Sequence, residues 1–201
     1  MRSINNSEGA AQTNVTWPAV SYHPTQSAPI GIRIRLATLA WNLVSATLFR
    51  FSPKPCRPFR RLLLRVFGAQ LSRGASVHNR ARIDCPWNLR MGVCASIGEY
   101  AWVYALDQIV IGDYACVGQH VFLLTGTHDY NDPGFPLQTK PISIERGAWL
   151  AARTTLLPGV TVGAFTVVGA GSVVARPLPG GTVCGGNPCA VLKRRGLPGL
   201  P

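Results

Sequence analysis

The chain has 201 residues, 20 Lys and Arg against 8 Asp and Glu, and a formal net charge of +12. That length gives one modest domain with appendages and enough residues for a real core. Cys56, Cys85, Cys94, Cys116, Cys184 and Cys189 form no CxxC pair and no metal-ligand spacing, and read as reduced, mostly buried thiols in the cytoplasm.

Residues 1–29, rich in Asn, Ser, Thr and Pro, read as a mobile polar tail that includes His23. They lack the charged start, apolar middle and small-residue cleavage site of a secretory leader. The next region, 30–70, is basic and apolar. No Asp or Glu occurs between Gly9 and Ile83, whereas Arg33, Arg35, Arg50, Lys54, Arg57, Arg60, Arg61 and Arg65 all fall there. Within it, LATLAWNLVSATLF and, after a Pro-rich break at Ser52 to Pro58, RPFRRLLLRVFGA predict short helices. The first run falls short of the about 20 residues that cross a bilayer, and its Asn42 also argues against crossing. Two readings stand side by side. The helices lie in an anionic membrane interface with arginines on lipid headgroups, or they cap the end of the following domain.

From Leu71 to Leu178 the chain repeats every six residues. Aliphatic residues open the hexads at Ile111, Val117, Leu123, Ile144, Leu150, Leu156, Val162, Val168 and Val174. Four positions later stands a small or modest side chain, in order Ala115, Val121, Thr127, Ala148, Thr154, Val160, Thr166 and Ser172. A helix needs apolar spacing near 3.6 and an alternating strand a spacing of 2, so a sustained spacing of six fits neither. It predicts a triangular parallel β-helix, three hexads to a coil, with the opening residues inside. Gly112, Gly118, Gly163 and Gly169 follow opening residues, where a corner is expected to need dihedrals that a side chain resists. Upstream, the register slips by two at Val103, recovers through Ile97, and weaker hexads open at Leu89, Ile83, Val77 and Leu71. That makes about five coils, a prism some 24 Å tall at ~4.8 Å per strand.

The largest break is DYNDPGFPLQTKPIS, 129–143, between the hexad that ends at His128 and the one that opens at Ile144. Its Asp, Gly and Pro content predicts an extruded surface loop, the place where solenoids carry binding functions. His78 and His120 take outward hexad positions and need no further role. His128 joins a proton acceptor that works at neutral pH to a fixed scaffold position and an overhanging loop, which suits a general base; the alternative is a histidine that anchors the loop. Beyond the prism, 179–201 reads as a basic carboxy-terminal tail.

The run IGDYACVGQHVFLLTGTHDYNDPGFPLQTKPISIERGAWLAARTTLLPGVTVGAFTVVGAGSVV, with the closing CGGNPCAVLKRR, resembles the hexapeptide-repeat acyltransferases, and among them the colanic acid acetyltransferase group, with maltose and galactoside O-acetyltransferases more distant. The resemblance covers about Leu36 to Arg195. It implies a left-handed coil, against the usual right-handed crossover, and a homotrimer with active sites between subunits. It also implies acetyl-CoA as co-substrate with no metal, and a sugar or lipid-linked saccharide as acceptor. On that resemblance His128 is the base, Ala152 offers a backbone N–H to the thioester oxyanion, and Ala170, Ala175, Arg176 and Lys193 contact coenzyme A. Alanine at 152 departs from relatives that also offer a hydroxyl there. Tyr104 and Asp107, in the irregular VYALDQ, together with Asp129 and Trp149, are the acceptor-side candidates; Asp107 either binds a hydroxyl, orients the histidine, or closes a turn.

Two rival readings use the same prism. A gamma-type zinc carbonic anhydrase needs three converging histidines, and only His120 and His128 lie near suitable coils, at the wrong spacing. A non-catalytic scaffold would dock through the basic end to a membrane, and would leave His128 and its loop without a purpose. No nucleic-acid-binding motif occurs.

Overall fold

The computed structural model describes residues 31–53 and 55–196. The expected polar tail at 1–29, with His23, lies outside the described residues.

Three parallel sheets form the walls of a left-handed β-helix. The first face stacks Gln70–Leu71, Leu89–Met91, Ile109–Ile111, Ile142–Ile144 and Thr161–Val162. The second stacks Ser76–Val77, Ser96–Ile97, Cys116–Val117, Trp149–Leu150, Val167–Val168 and Thr182–Gly186, and the third Arg82–Asp84, Trp102–Tyr104, Phe122–Leu124, Thr155–Leu156 and Val173–Val174. Five coils are complete, and a bridge from Val162 to Leu178 begins a sixth. Each opening aliphatic pairs with its counterpart one coil away, as in Ile97 with Val117 and Leu150 with Val168. Ile111, Val117, Leu123, Ile144, Leu150, Leu156, Val162, Val168 and Val174 are buried inside the prism. The small fifth residues sit beside them, and hydroxyls among them cap the main chain: Thr154 Oγ1 donates to the Ala151 carbonyl at 2.8 Å and Ser172 Oγ to that of Gly169 at 2.7 Å, within their own corners, and Thr166 Oγ1 to that of Pro179 at 2.6 Å in the next coil.

Two features differ from the hexad reading. The slip of two residues occurs twice, not once. Leu71, Met91 and Ile111 stack, as do Leu89 and Ile109, so the extra residues form the corners Cys85–Asn88 and Ala105–Gln108, the first of them containing a 3-10 turn at Pro86–Asn88. The glycines after the opening residues also serve a different purpose from the one expected. Gly112, Gly118, Gly163 and Gly169 do not have positive φ. A Cβ on Gly112 would lie 2.7 Å from the Arg146 nitrogen, and one on Gly118 2.7 Å from the Leu150 carbonyl oxygen. Close stacking of coils, not turn geometry, requires glycine at 112, 118 and 163, whereas a Cβ on Gly169 would meet nothing nearer than the Cys184 carbonyl oxygen at 3.4 Å. The left-handed residues come two positions later, and most carry side chains: Tyr114 (φ 58°), His120 (φ 55°) and Phe165 (φ 58°), with Gly171 (φ 71°).

The basic amino-terminal region folds into α1 (Ile32–Val44), a π-helical turn (Ser45–Phe49) and α2 (Arg57–Val66). Their inner residues cover the prism's first coil. Trp41 is 2% exposed, contacts Phe49 and Phe67, and donates from Nε1 to the Ile83 carbonyl at 2.6 Å. On α2, Leu64 is fully buried and Arg60 reaches inward, donating to the Val77 carbonyl at 2.9 Å and the Pro53 carbonyl at 2.8 Å. Burial holds the Arg60 guanidinium below its ordinary pKa. At the other end, the segment expected as a basic tail contains Thr182–Gly186 and Cys189–Arg194, an antiparallel pair that continues the second face.

Candidate functional site

Thr125, not Thr127, closes the third coil. It is fully buried, donates from Oγ1 to the Tyr104 carbonyl at 2.8 Å and accepts from the Asp107 N–H at 3.0 Å. The overhanging flap therefore starts earlier than the spacing suggests, with Gly126–His128 pairing antiparallel to Leu137–Thr139. Lys140 N–H donates to the Thr125 carbonyl at 2.9 Å and ties the neck. At the tip, the Asp129 carboxylate accepts from Asn131 N–H at 3.0 Å and that of Asp132 from Gly134 N–H at 2.7 Å, two successive Asx turns that reverse the chain.

These turns bring Phe135 back over His128. The two rings stack with centroids 4.4 Å apart and planes 7° from parallel, and His128 Nδ1 lies 2.8 Å from the Phe135 carbonyl oxygen. A carbonyl only accepts, so Nδ1 carries the proton of the neutral ring and the lone pair stays on Nε2. His128 is half-buried. A held tautomer with an available Nε2 is the chemical form of a general base.

The other predicted residues fall on two edges of the prism. The edge between the third and first faces holds Asp107, the flap with His128 and Asp129, and the exposed Ala175 and Arg176. Asp107 accepts from the Gln108 N–H at 2.6 Å, closing its corner, and the orienting partner of His128 is the main-chain carbonyl. Asp129 is committed to the flap, its second oxygen accepting from Gln138 Nε2 at 3.0 Å. Tyr104, on the outer side of the third face, lies against the flap's root: a Cβ on Gly126 would sit 3.0 Å from its ring.

The edge between the second and third faces holds Ala152 and Ala170, with Trp149 beside them, 47% exposed, on the outer side of the second face. The Ala152 N–H has no hydrogen-bond partner among the described residues, but neither do those of Gln119 and Ala170, its counterparts in neighbouring coils. That available donor is thus a property of the corner. Lys193 is exposed on the final strand, opposite Val183. Arg195, in the segment read as a basic tail, donates to the Phe165 carbonyl at 2.8 Å and to that of Gly147 at 3.3 Å. Cys116 sits on the second face between Ser96 and Trp149, a face away from His128.

Between the two edges, the outer side of the third face carries a group that the hexad pattern does not reveal. Trp102 Nε1 donates to Asp84 at 2.7 Å, Arg82 lies 4.5 Å over the indole and pairs with Asp84 at 3.1 Å, and Phe122 meets Trp102 at 6.0 Å. Outward positions vary freely in a hexad, so only their stacking in adjacent coils exposes the cluster. Among the described residues, no three His, Cys, Asp or Glu side chains converge as metal ligands.

No protein-family model matches the chain. An Escherichia coli K12 protein named colanic acid biosynthesis acetyltransferase WcaF is 39% identical over 155 residues, 77% of this chain and 85% of that protein. Of solved structures, a maltose O-acetyltransferase from Clostridium difficile 630 superposes with TM-score 0.74 at 25% identity, covering 82% of this chain and 89% of that one. The hexapeptide-repeat containing acetyltransferase VCA0836 of Vibrio cholerae superposes with TM-score 0.76 at 25% identity over 83% and 94% of the two chains, and has also been solved in complex with acetyl coenzyme A.

Proposed function

Because the chain belongs to the hexapeptide-repeat acetyltransferases, we propose that it carries an acetyl group from acetyl-CoA to a sugar hydroxyl in exopolysaccharide synthesis, by direct transfer with His128 as general base. The observation that supports this most is the His128–Phe135 pair, which leaves Nε2 as the acceptor at the foot of the flap. Nε2 takes the hydroxyl proton as the acceptor oxygen bonds to the thioester carbonyl carbon. The oxyanion of that adduct is held by the Ala152 N–H. The carbon–sulfur bond then breaks, and His128 returns its proton to the departing thiolate, giving acetyl ester and free coenzyme A. Concerted removal of the proton is needed because an alcohol is a poor nucleophile near neutral pH, and a positioned base contributes about 10² to 10⁴-fold.

His128 and Ala152 occupy different edges of one prism. A reaction that uses both is served by two prisms packed side by side, the base of one facing the thioester donor of the next, which supports a homotrimer with shared sites. Ala170, Ala175, Arg176 and Lys193 then contact coenzyme A, the two cations meeting its phosphates. Tyr104, Asp107, Asp129 and Trp149 face the sugar. An acceptor carried on a lipid at the inner membrane face accounts for the basic helices, which give the enzyme a peripheral hold on anionic membrane. The test is a sugar acceptor screen with acetyl-CoA, read as free thiol release, beside His128→Ala. Near-normal turnover in that variant removes the assignment.

A further inference from the structure

The amino-terminal helices turn one side to the prism and leave the opposite side apolar. On α1, Ile32, Leu36, Leu39 and Leu43 recur in steps of four, three and four, so they line one face of the helix within an arc of about 60°, and Trp41 points about 180° away. Trp41 is 2% exposed, whereas Leu36, Leu39 and Leu43 are 60%, 65% and 68% exposed; Ile34, on Trp41's side but in the first turn, is also exposed, at 50%. Leu48 and Phe51 continue the apolar surface past the π-helical turn. On α2 the same division holds. Arg60 and Leu64 are buried, and Phe59, Leu62 and Val66, spaced three and four apart, are exposed.

Arg33 and Arg35 flank the α1 stripe on its two sides, and Arg50 and Arg57 are exposed around the continuing surface, with Arg61 half-buried beside them. No carboxylate side chain occurs from Gly9 to Ile83. A second copy of this face would set arginine against arginine, so self-association through it is opposed by charge. An anionic bilayer complements both features at once: leucines enter the acyl boundary and arginines meet phosphates. No helix among the described residues is long and apolar enough to cross a membrane, and α1 with its π-helical turn extends only about 27 Å, which suits lying in the interface plane.

We infer that the exposed stripe Ile32, Leu36, Leu39 and Leu43, continued by Leu48, Phe51, Phe59, Leu62 and Val66, is the surface by which the enzyme docks on anionic lipid, Trp41 and Leu64 fixing its orientation to the prism. This deepens the membrane part of the proposed function and rests on it; it does not depend on His128. The docking holds the prism at the bilayer with its walls outside.

The test is sedimentation of the full chain with vesicles of phosphatidylcholine and phosphatidylglycerol, against phosphatidylcholine alone. The expected result is binding to the mixed vesicles that weakens with salt. Leu36→Gln/Leu39→Gln/Leu43→Gln, at exposed positions that leave the fold intact, lowers partitioning at least tenfold, and Arg33→Gln/Arg35→Gln lowers it about fivefold per arginine. Absence of vesicle binding by the full chain, or unchanged binding by the leucine variant, overturns the docking surface. So does a change of particle mass in the leucine variant by light scattering, which marks the stripe as a contact between copies. Thiol release with a soluble sugar acceptor, measured in parallel, separates the two readings. Transfer without vesicle binding removes only the docking, whereas vesicle binding without transfer supports the docking and removes the acetyl-transfer reading.

Discussion

His128 and Phe135 are held to each other twice, by a 2.8 Å hydrogen bond from Nδ1 to the Phe135 carbonyl and by rings stacked at 4.4 Å. The carbonyl selects the tautomer and the ring fixes the plane. The two contributions separate by substitution. Phe135→Gly keeps the carbonyl and suits the positive φ of 47° at this position, so the tautomer survives and only ring orientation is lost. Turnover is expected to fall about tenfold, against about 10² to 10⁴-fold for His128→Ala, with the thermal midpoint little changed in both. Steady-state thiol-release kinetics check the ratio.

Trp41 joins helix to prism through a buried ring and one hydrogen bond. Trp41→Ala opens a cavity between α1 and the first coil and leaves the Ile83 carbonyl without its indole donor. A loss of about 3–5 kcal/mol is expected. Urea denaturation followed by circular dichroism measures it, and a loss below about 1 kcal/mol contradicts the capping role.

Two glycines of the same coil edge are expected to respond differently to alanine. Gly118→Ala drives a Cβ to 2.7 Å from the Leu150 carbonyl oxygen, a backbone atom of the next coil, so the stack must part. About 1–3 kcal/mol is the expected cost. Gly171→Ala meets nothing within 4 Å and suffers only from its φ of 71°, about 1 kcal/mol. Equal destabilisation of the two variants in thermal melts would contradict the coil-stacking account.

The Cys85 thiol is pushed up from 9.0 to about 11, first by burial and then by the neighbouring Asp84 carboxylate. Its folded-state pKa lies above the unfolded one, so the stabilising effect is complete below about 9 and is lost as pH rises towards 11. Of the thiols expected to be mostly buried, only Cys184 is buried, four are half-buried, and Cys94 is exposed at a corner. A thiol reagent at pH 8 is expected to modify Cys94 rapidly and Cys85 only on unfolding; mass spectrometry of the labelled peptides distinguishes them.

The prism was legible because its period is set by the interior. Nine aliphatic residues at six-residue spacing have no other common solution, and each lies inside. The corners were less legible. Gly118 and His120 share a turn, yet the left-handed residue is the histidine and the glycine yields to the coil beyond it. A one-dimensional pattern cannot separate tight stacking from turn strain, since both favour a missing Cβ. His128 stands out as a candidate from its place before a polar insertion, whereas its hydrogen-bond partner does not, because a main-chain carbonyl belongs to every residue type. Arg195 shows the converse. It belongs to a segment whose composition reads as a basic tail, and its bond to the Phe165 carbonyl depends on a corner 30 residues away.

The bond from Lys140 N–H to the Thr125 carbonyl gives the flap a closed base. The column above resumes its pairing, Ile144 on Ile111, as though the intervening segment were absent. Insertions, deletions or wholesale exchange between these two anchor points can therefore leave the load-carrying stack in register. On the proposed function, the flap is a ready-made graft site at which acceptor choice can change without disturbing the column.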